Sequence, residues 1–130
     1  MTTFTDLGVA PEITDALDAV GITSPFPIQE MTLSVALGGT DLIGQARTGT
    51  GKTLAFAIPV IQRTTGPQDP GYADLAAPGK PQALIVAPTR ELAIQVGGDV
   101  ATASKNRGTR SLLIYGGVGY DPQLDALAEG

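Results

Sequence analysis

The chain contains no cysteine and no histidine. Without cysteine there is neither a disulfide nor a thiolate metal site. Without histidine the commonest general base and the commonest metal ligand are gone. Long apolar runs are missing as well: no stretch approaches the roughly 20 residues that a membrane helix needs. The start, Met1-Thr2-Thr3-Phe4-Thr5-Asp6, has neither the basic opening nor the apolar stretch of a signal peptide. Positive charge is scarce too, with 8 Lys and Arg against 13 Asp and Glu and a net charge of −5. A chain that binds nucleic acid non-specifically usually carries a positive footprint. The overall balance therefore argues mildly against RNA or DNA as a partner, although a local site can be positive on an acidic body. Together these absences point to a soluble, cytoplasmic protein.

What is present suits one domain or a large piece of one: 130 residues, of which 42% are hydrophobic. Pro11 fits the first position of a helix reaching about Val20, with Ile13, Leu17 and Val20 on one face and Gly21 as its stop. Pro25-Phe26-Pro27 forces extended backbone and seeds a second helix at Ile28, carrying Met31, Val35 and Leu37 and ending at Gly38-Gly39. Residues 41–45 read as a short buried strand, followed by a Gly- and Thr-rich loop. A helix then runs from Lys52 to about Gln62, with a kink expected at Pro59. Residues 66–81 carry four prolines and three glycines and read as the most mobile loop. Leu84-Ile85-Val86 marks a second buried strand. A helix over 89–104 follows, with Leu92, Val96 and Val100 at fourfold spacing. Ser111-Leu112-Leu113-Ile114 marks a third strand, and a short helix begins near Pro122. Alternating strand and helix predicts an α/β fold with a parallel sheet and crossover helices. Three strands are few for a free-standing sheet of that kind.

The densest chemistry lies in Ala46-Arg47-Thr48-Gly49-Thr50-Gly51-Lys52-Thr53. The phosphate-loop consensus is G-x-x-x-x-G-K-[ST]. Ala46 replaces its first glycine, while Gly51, Lys52 and Thr53 are intact. In such a loop, backbone N–H groups converge on phosphate oxygens, and glycine alone tolerates the dihedrals and the close approach. Lys52 supplies a point charge for the outer phosphates, and the Thr53 hydroxyl is placed to ligate Mg²⁺.

Two flanking stretches are weaker alone. Gln29, behind a proline-stiffened turn, can offer its amide to an adenine edge as donor and acceptor, or it can be a solvated first-turn residue. Pro88, Thr89 and Arg90 follow a buried strand at the carboxyl end, where ligands gather in parallel sheets. They can grip phosphate, or Arg90 and Glu91 can be a solvated pair at a helix start. Gly116-Gly117 lets a polyanion approach the backbone or turns the chain.

In kind, order and spacing these stretches resemble the DEAD-box RNA helicase family, in its bacterial form. Residues 21–29 resemble the family's Q motif, with Phe4 at the distance of its isolated upstream aromatic. Residues 46–53 resemble motif I, which alanine commonly opens. Residues 88–92 resemble motif Ia, and Gly116-Gly117 the GG motif. The resemblance divides the chain into a Q-motif region, 1–30, and an incomplete amino-terminal part of a RecA-like ATP-binding domain, 31–130. It implies a partial RecA-like sheet of the phosphate-loop NTPase type. It also implies that Gln29 reads adenine and that residues 46–53 hold ATP with Mg²⁺ on Thr53. Pro88, Thr89, Arg90, Gly116 and Gly117 would lie along single-stranded RNA without reading bases. Ile22 stands where the family usually has an aromatic that stacks on adenine, so it is expected to pack on the base less tightly. The Asp-Glu-Ala-Asp motif, the Ser-Ala-Thr motif and a second RecA-like domain do not occur in the chain. The intact enzyme is expected to unwind short RNA duplexes using ATP, and these 130 residues alone to be inactive. The alternative expectation is a non-catalytic nucleotide-binding module.

Overall fold

The computed structural model describes every residue, Met1–Gly130, and contains five α-helices. They are α1 (Pro11–Asp18), α2 (Pro27–Leu37), α3 (Lys52–Arg63), α4 (Arg90–Ala103) and α5 (Tyr120–Glu129), with a 3₁₀ turn at Tyr72–Asp74. Helix α3 is the centre of the packing: α2 lies against one side of it and α4 against the other, and α1 packs on α4. The core is shared among these four helices and the amino-terminal lead-in. It contains Phe4, Val9, Ile13, Leu17, Leu33, Ile58, Ile61, Val96 and Val100, among others.

Helix α1 starts where Pro11 fixes the first turn and buries Ile13, Ala16 and Leu17, the one-sided spacing of an amphipathic helix. Gly21 ends the segment in the left-handed region, with φ +83°. Its N–H donates to the Asp18 carbonyl, and that of Ile22 to Leu17, which is the double closure of a Schellman stop. Such a stop places an apolar contact at the residue after the glycine, and Ile22 packs against the core there. Helix α2 is rotated relative to the face read from its sequence. Gln29 and Leu33 are the buried pair, whereas Met31 and Val35 are exposed. A polar residue is tolerated inside because both ends of its amide are hydrogen-bonded, as described below. Helix α3 continues through Pro59, which is itself buried.

Glutamine amides clamp backbone at two further points. Gln62 accepts from the Ala10 N–H at 2.8 Å and donates to the Gly8 carbonyl at 2.9 Å, fastening the lead-in to α3. Gln82 exchanges both bonds with Thr65, each at 2.8 Å, closing the ends of the proline-rich loop. Inside that loop the Gly79 N–H donates to the Tyr72 hydroxyl at 2.8 Å. Arg107 ties the far end together. It pairs with Glu12 at 3.0 Å and donates to the Gln62 and Thr64 carbonyls, which are orphan acceptors at the end of α3.

The three expected strands do not form a sheet. Residues 40–47, 81–87 and 108–115 have no strand assignment, and no backbone hydrogen bond joins any two of them. Around residues 84–86 side chains still alternate as in a strand. Ile85 faces the helical core while Leu84 and Val86 are 87% and 83% exposed. The helices therefore cover one face of these segments. The other face and the hydrogen-bonding edges have no partner, so the doubly covered burial expected of a parallel sheet is absent.

Candidate nucleotide and RNA site

Residues 46–53 form an open loop leading into α3. Gly49 and Gly51 take φ of +82° and +85°, which bends the chain sharply enough to turn into the helix. The Thr50 hydroxyl donates to the Arg47 carbonyl and closes the turn. Gly51 is the N-cap of α3 and brings no side-chain acceptor. The Gly51 carbonyl accepts from Ala55, so the N–H groups of Lys52, Thr53 and Leu54 lie ahead of the intrahelical ladder. Those donors and the positive end of the helix dipole suit an anion. Lys52 is exposed and takes part in neither ion pair of the chain. Thr53 sits half-buried on the same turn. The loop residues thus fit a polyphosphate: helix-start amides ahead of the intrahelical ladder, an ammonium outside both ion pairs and a hydroxyl on the same turn.

Gln29 is joined to this loop. It is 2% exposed, its Oε1 accepts from the Phe26 N–H at 2.9 Å, and its Nε2 donates to the Gly51 carbonyl at 3.0 Å. This is half of a capping box, since phenylalanine offers no acceptor in return. One hydrogen on Nε2 and one lone pair on Oε1 are left for an adenine edge. The expected contact is chemically available only beside the two bonds already made.

Phe4 and Ile22, which the resemblance adds to the expected nucleotide site, pack against the helical core. Phe4 is 3% exposed in the helical core, held in a turn where Asp6 and Thr3 exchange hydrogen bonds. The Thr3 N–H, donating to the Asp6 carboxyl, and the Thr3 hydroxyl beside it hold that carboxyl below its usual pKa range. Ile22 is half-buried against the same core as the apolar contact of the α1 stop. Hydrophobic burial explains both placements. Phe26, which the motif reading passed over, is 52% exposed with its ring beside Gly51. Its flanking prolines were the available signal.

A second cluster gathers the other candidates. Thr89 caps α4, its hydroxyl accepting from the Leu92 N–H at 3.2 Å. Arg90 is the first residue of α4, and Pro88 precedes the cap; all three are exposed. The Arg90 guanidinium lies over the Tyr115 ring, 4.7 Å from its centroid. Gly117, with φ +85°, comes beside the guanidinium. Gly116 has an ordinary φ and open space around it, so nothing local requires glycine there. No group of three or more acidic side chains gathers in the molecule to hold a metal ion. No helix is long and apolar enough to cross a membrane.

A glycine-bent loop running into an uncapped helix, with a free lysine on the first turn, defines a phosphate-loop nucleotide-binding domain. Comparison with known proteins narrows that class. The DEAD/DEAH box helicase profile matches residues 26–130, and the chain belongs to that family. It is 47% identical over 128 residues to the ATP-dependent RNA helicase RhlB of Xanthomonas oryzae, covering 98% of this chain and 22% of that protein. RhlB of Vibrio campbellii is 44% identical, with 98% and 28% covered. Among solved structures, a DEAD box protein from Methanococcus jannaschii superposes with a TM-score of 0.79 at 32% identity, covering 99% of this chain and 33% of that one. The RNA helicase Prp28 from Chaetomium thermophilum, bound to ADP, gives 0.80 at 34% identity, covering 100% and 30%. The fold is therefore RecA-like, and the chain spans about a quarter of the length of the curated relatives named here.

Proposed function

We propose that these residues bind ATP with Mg²⁺ and supply part of the RNA track of an ATP-dependent RNA helicase. In that reading the Lys52 ammonium and the amides at the start of α3 hold the phosphates, and Thr53 ligates the magnesium ion. Gln29 selects adenine with its remaining donor and acceptor. Pro88, Thr89, Arg90, Gly116 and Gly117 follow the RNA backbone. A cytoplasmic location goes with that activity. The observation that carries the reading is the bond from Gln29 to Gly51, which ties a base-reading amide directly to the phosphate loop.

Hydrolysis and local unwinding belong to the longer protein in this reading. There, further strands pair with residues 40–47, 81–87 and 108–115 and complete a parallel sheet. A second RecA-like domain closes over ATP and RNA. The 130 residues alone bind nucleotide without turning it over. A radiolabelled ATPase assay with Lys52→Ala as control tests the division, and lysine-dependent turnover by the isolated chain would overturn it. Titration with labelled ATP and GTP tests base selection. Equal affinity for the two would remove the adenine role of Gln29.

A further inference from the structure

We infer that Tyr115 is a positioning residue: its ring holds the Arg90 guanidinium in place for a phosphate of single-stranded RNA. The inference rests on the RNA reading above and adds a residue to it.

Arg90 is an exposed cation with a long stem at the start of α4. Left free, such a side chain samples many rotamers and loses that freedom when it binds. Proteins often fix an arginine with a carboxylate, but that partner consumes the N–H fork and cancels the charge. Neither ion pair of this chain includes Arg90, although Glu91 is its neighbour in sequence. Instead, the central carbon of the guanidinium lies over the Tyr115 ring, 4.7 Å from its centroid. A cation–π contact does not cancel the charge as a carboxylate would. In a chain with a net charge of −5 this matters, because the arginine stays fully charged while its position is constrained.

The platform is itself held. Tyr115 is half-buried and borders an apolar groove with Leu112, Leu113, Val118 and Pro122. Directly after it the backbone turns at Gly117, where a Cβ would stand 3.8 Å from the arginine Nη1. A side chain at 117 would be strained by the positive φ, while its Cβ would meet Nη1 only at ordinary contact distance. The glycine therefore serves the turn that brings this backbone beside the guanidinium. Ring, guanidinium and glycine form one unit whose exposed part is a row of N–H donors.

The test is anisotropy of a fluorescein-labelled oligouridylate titrated with the full 130-residue chain at several salt concentrations. Tyr115→Leu is expected to weaken binding by about 2- to 5-fold, the range of an exposed cation–π contact. Tyr115→Phe keeps the ring and is expected to bind like the parent. Arg90→Gln is expected to lower the salt dependence by about 0.7 in log–log slope, one single-strand phosphate contact. Adding Tyr115→Leu to Arg90→Gln is then expected to change nothing further. The Arg90 side-chain protons, shifted upfield by the ring in NMR spectra of the RNA-free chain, are expected to lose that shift in Tyr115→Leu. If Tyr115→Leu weakens binding equally in both backgrounds, the ring acts by itself and the positioning role is overturned. If the ring-current shift is present but Tyr115→Leu binds like the parent, the role is likewise overturned. If the parent chain binds no RNA at all, the RNA reading fails and this inference falls with it.

Discussion

The side-chain amide of Gln29 donates to the carbonyl of Gly51 at 3.0 Å, joining the start of α2 to the last turn of the phosphate loop. The same amide accepts from Phe26, so one buried group satisfies two backbone atoms 25 residues apart in sequence, 26 and 51. Gln29→Leu leaves the Phe26 N–H unpaired and the Gly51 carbonyl with Ala55 alone, and is expected to cost about 1–3 kcal/mol. Gln29→Glu keeps the bond from Phe26 but sets a carboxylate oxygen against the Gly51 carbonyl, so a larger loss is expected. Urea titration of the three proteins measures this, and nucleotide affinity is expected to fall in the same order. Equal midpoints would remove the coupling.

The two left-handed glycines of the loop are expected to respond unequally. Gly49→Ala meets open space and carries only the cost of its dihedral, about 1–2 kcal/mol. Gly51→Ala carries that cost and also drives a Cβ to 2.6 Å from the Phe26 ring and into the Gln29 amide. Nucleotide binding is expected to weaken in Gly49→Ala and to disappear in Gly51→Ala. Phe26→Ala added to Gly51→Ala is expected to restore part of the lost stability, because one of the two obstacles is gone. Fluorescent-nucleotide titration and thermal melting read both effects; no recovery in the double variant contradicts the steric account.

Arg107 is expected to be a main polar determinant of stability. Its side chain is 14% exposed; its two terminal nitrogens donate to Glu12 and to two carbonyls at the end of α3, while Nε is buried without a partner. Arg107→Leu removes all of these and is expected to cost about 2–4 kcal/mol. Glu12→Gln is expected to cost only about 0.5 kcal/mol, since that carboxylate is 41% exposed and well solvated. Lysine at 107 cannot reproduce the planar fork and is expected to rescue poorly. Denaturant unfolding ranks the three, and a Glu12→Gln loss as large as that of Arg107→Leu would show the ion pair to be dominant.

The unpaired extended segments predict self-association. Ile43 is fully exposed, and Leu84, Val86 and Ile114 add to an apolar surface flanked by open hydrogen-bonding edges. Sedimentation velocity is expected to show concentration-dependent assembly, reduced by the pair Ile43→Lys and Val86→Lys. A monomer with a sharp cooperative melting transition would contradict this.

The sequence alone determined the local features. Pro11 and Pro27 open helices, Gly21 closes one, and the Gly-Thr-Gly-Lys-Thr run bends into another; each follows from backbone sterics that need no neighbour. It also marked Lys52 and Arg90, which the structure leaves exposed and outside both ion pairs. Tertiary structure decided what depended on company. Packing turned α2 so that Gln29 rather than Met31 is buried, because the Gly51 carbonyl and the Phe26 N–H receive its amide. Core packing also placed Phe4 among the helices and set Ile22 against them as the apolar contact of the α1 stop. The spacing of motifs did not reveal that Tyr115 lies beneath Arg90, since the two meet only where α4 returns beside residues 108–115. Apolar runs marked three strands, but a strand is a relation between chains of backbone rather than a property of one. Without a neighbour to exchange hydrogen bonds, these runs remain extended segments with one face covered by helices and the other open.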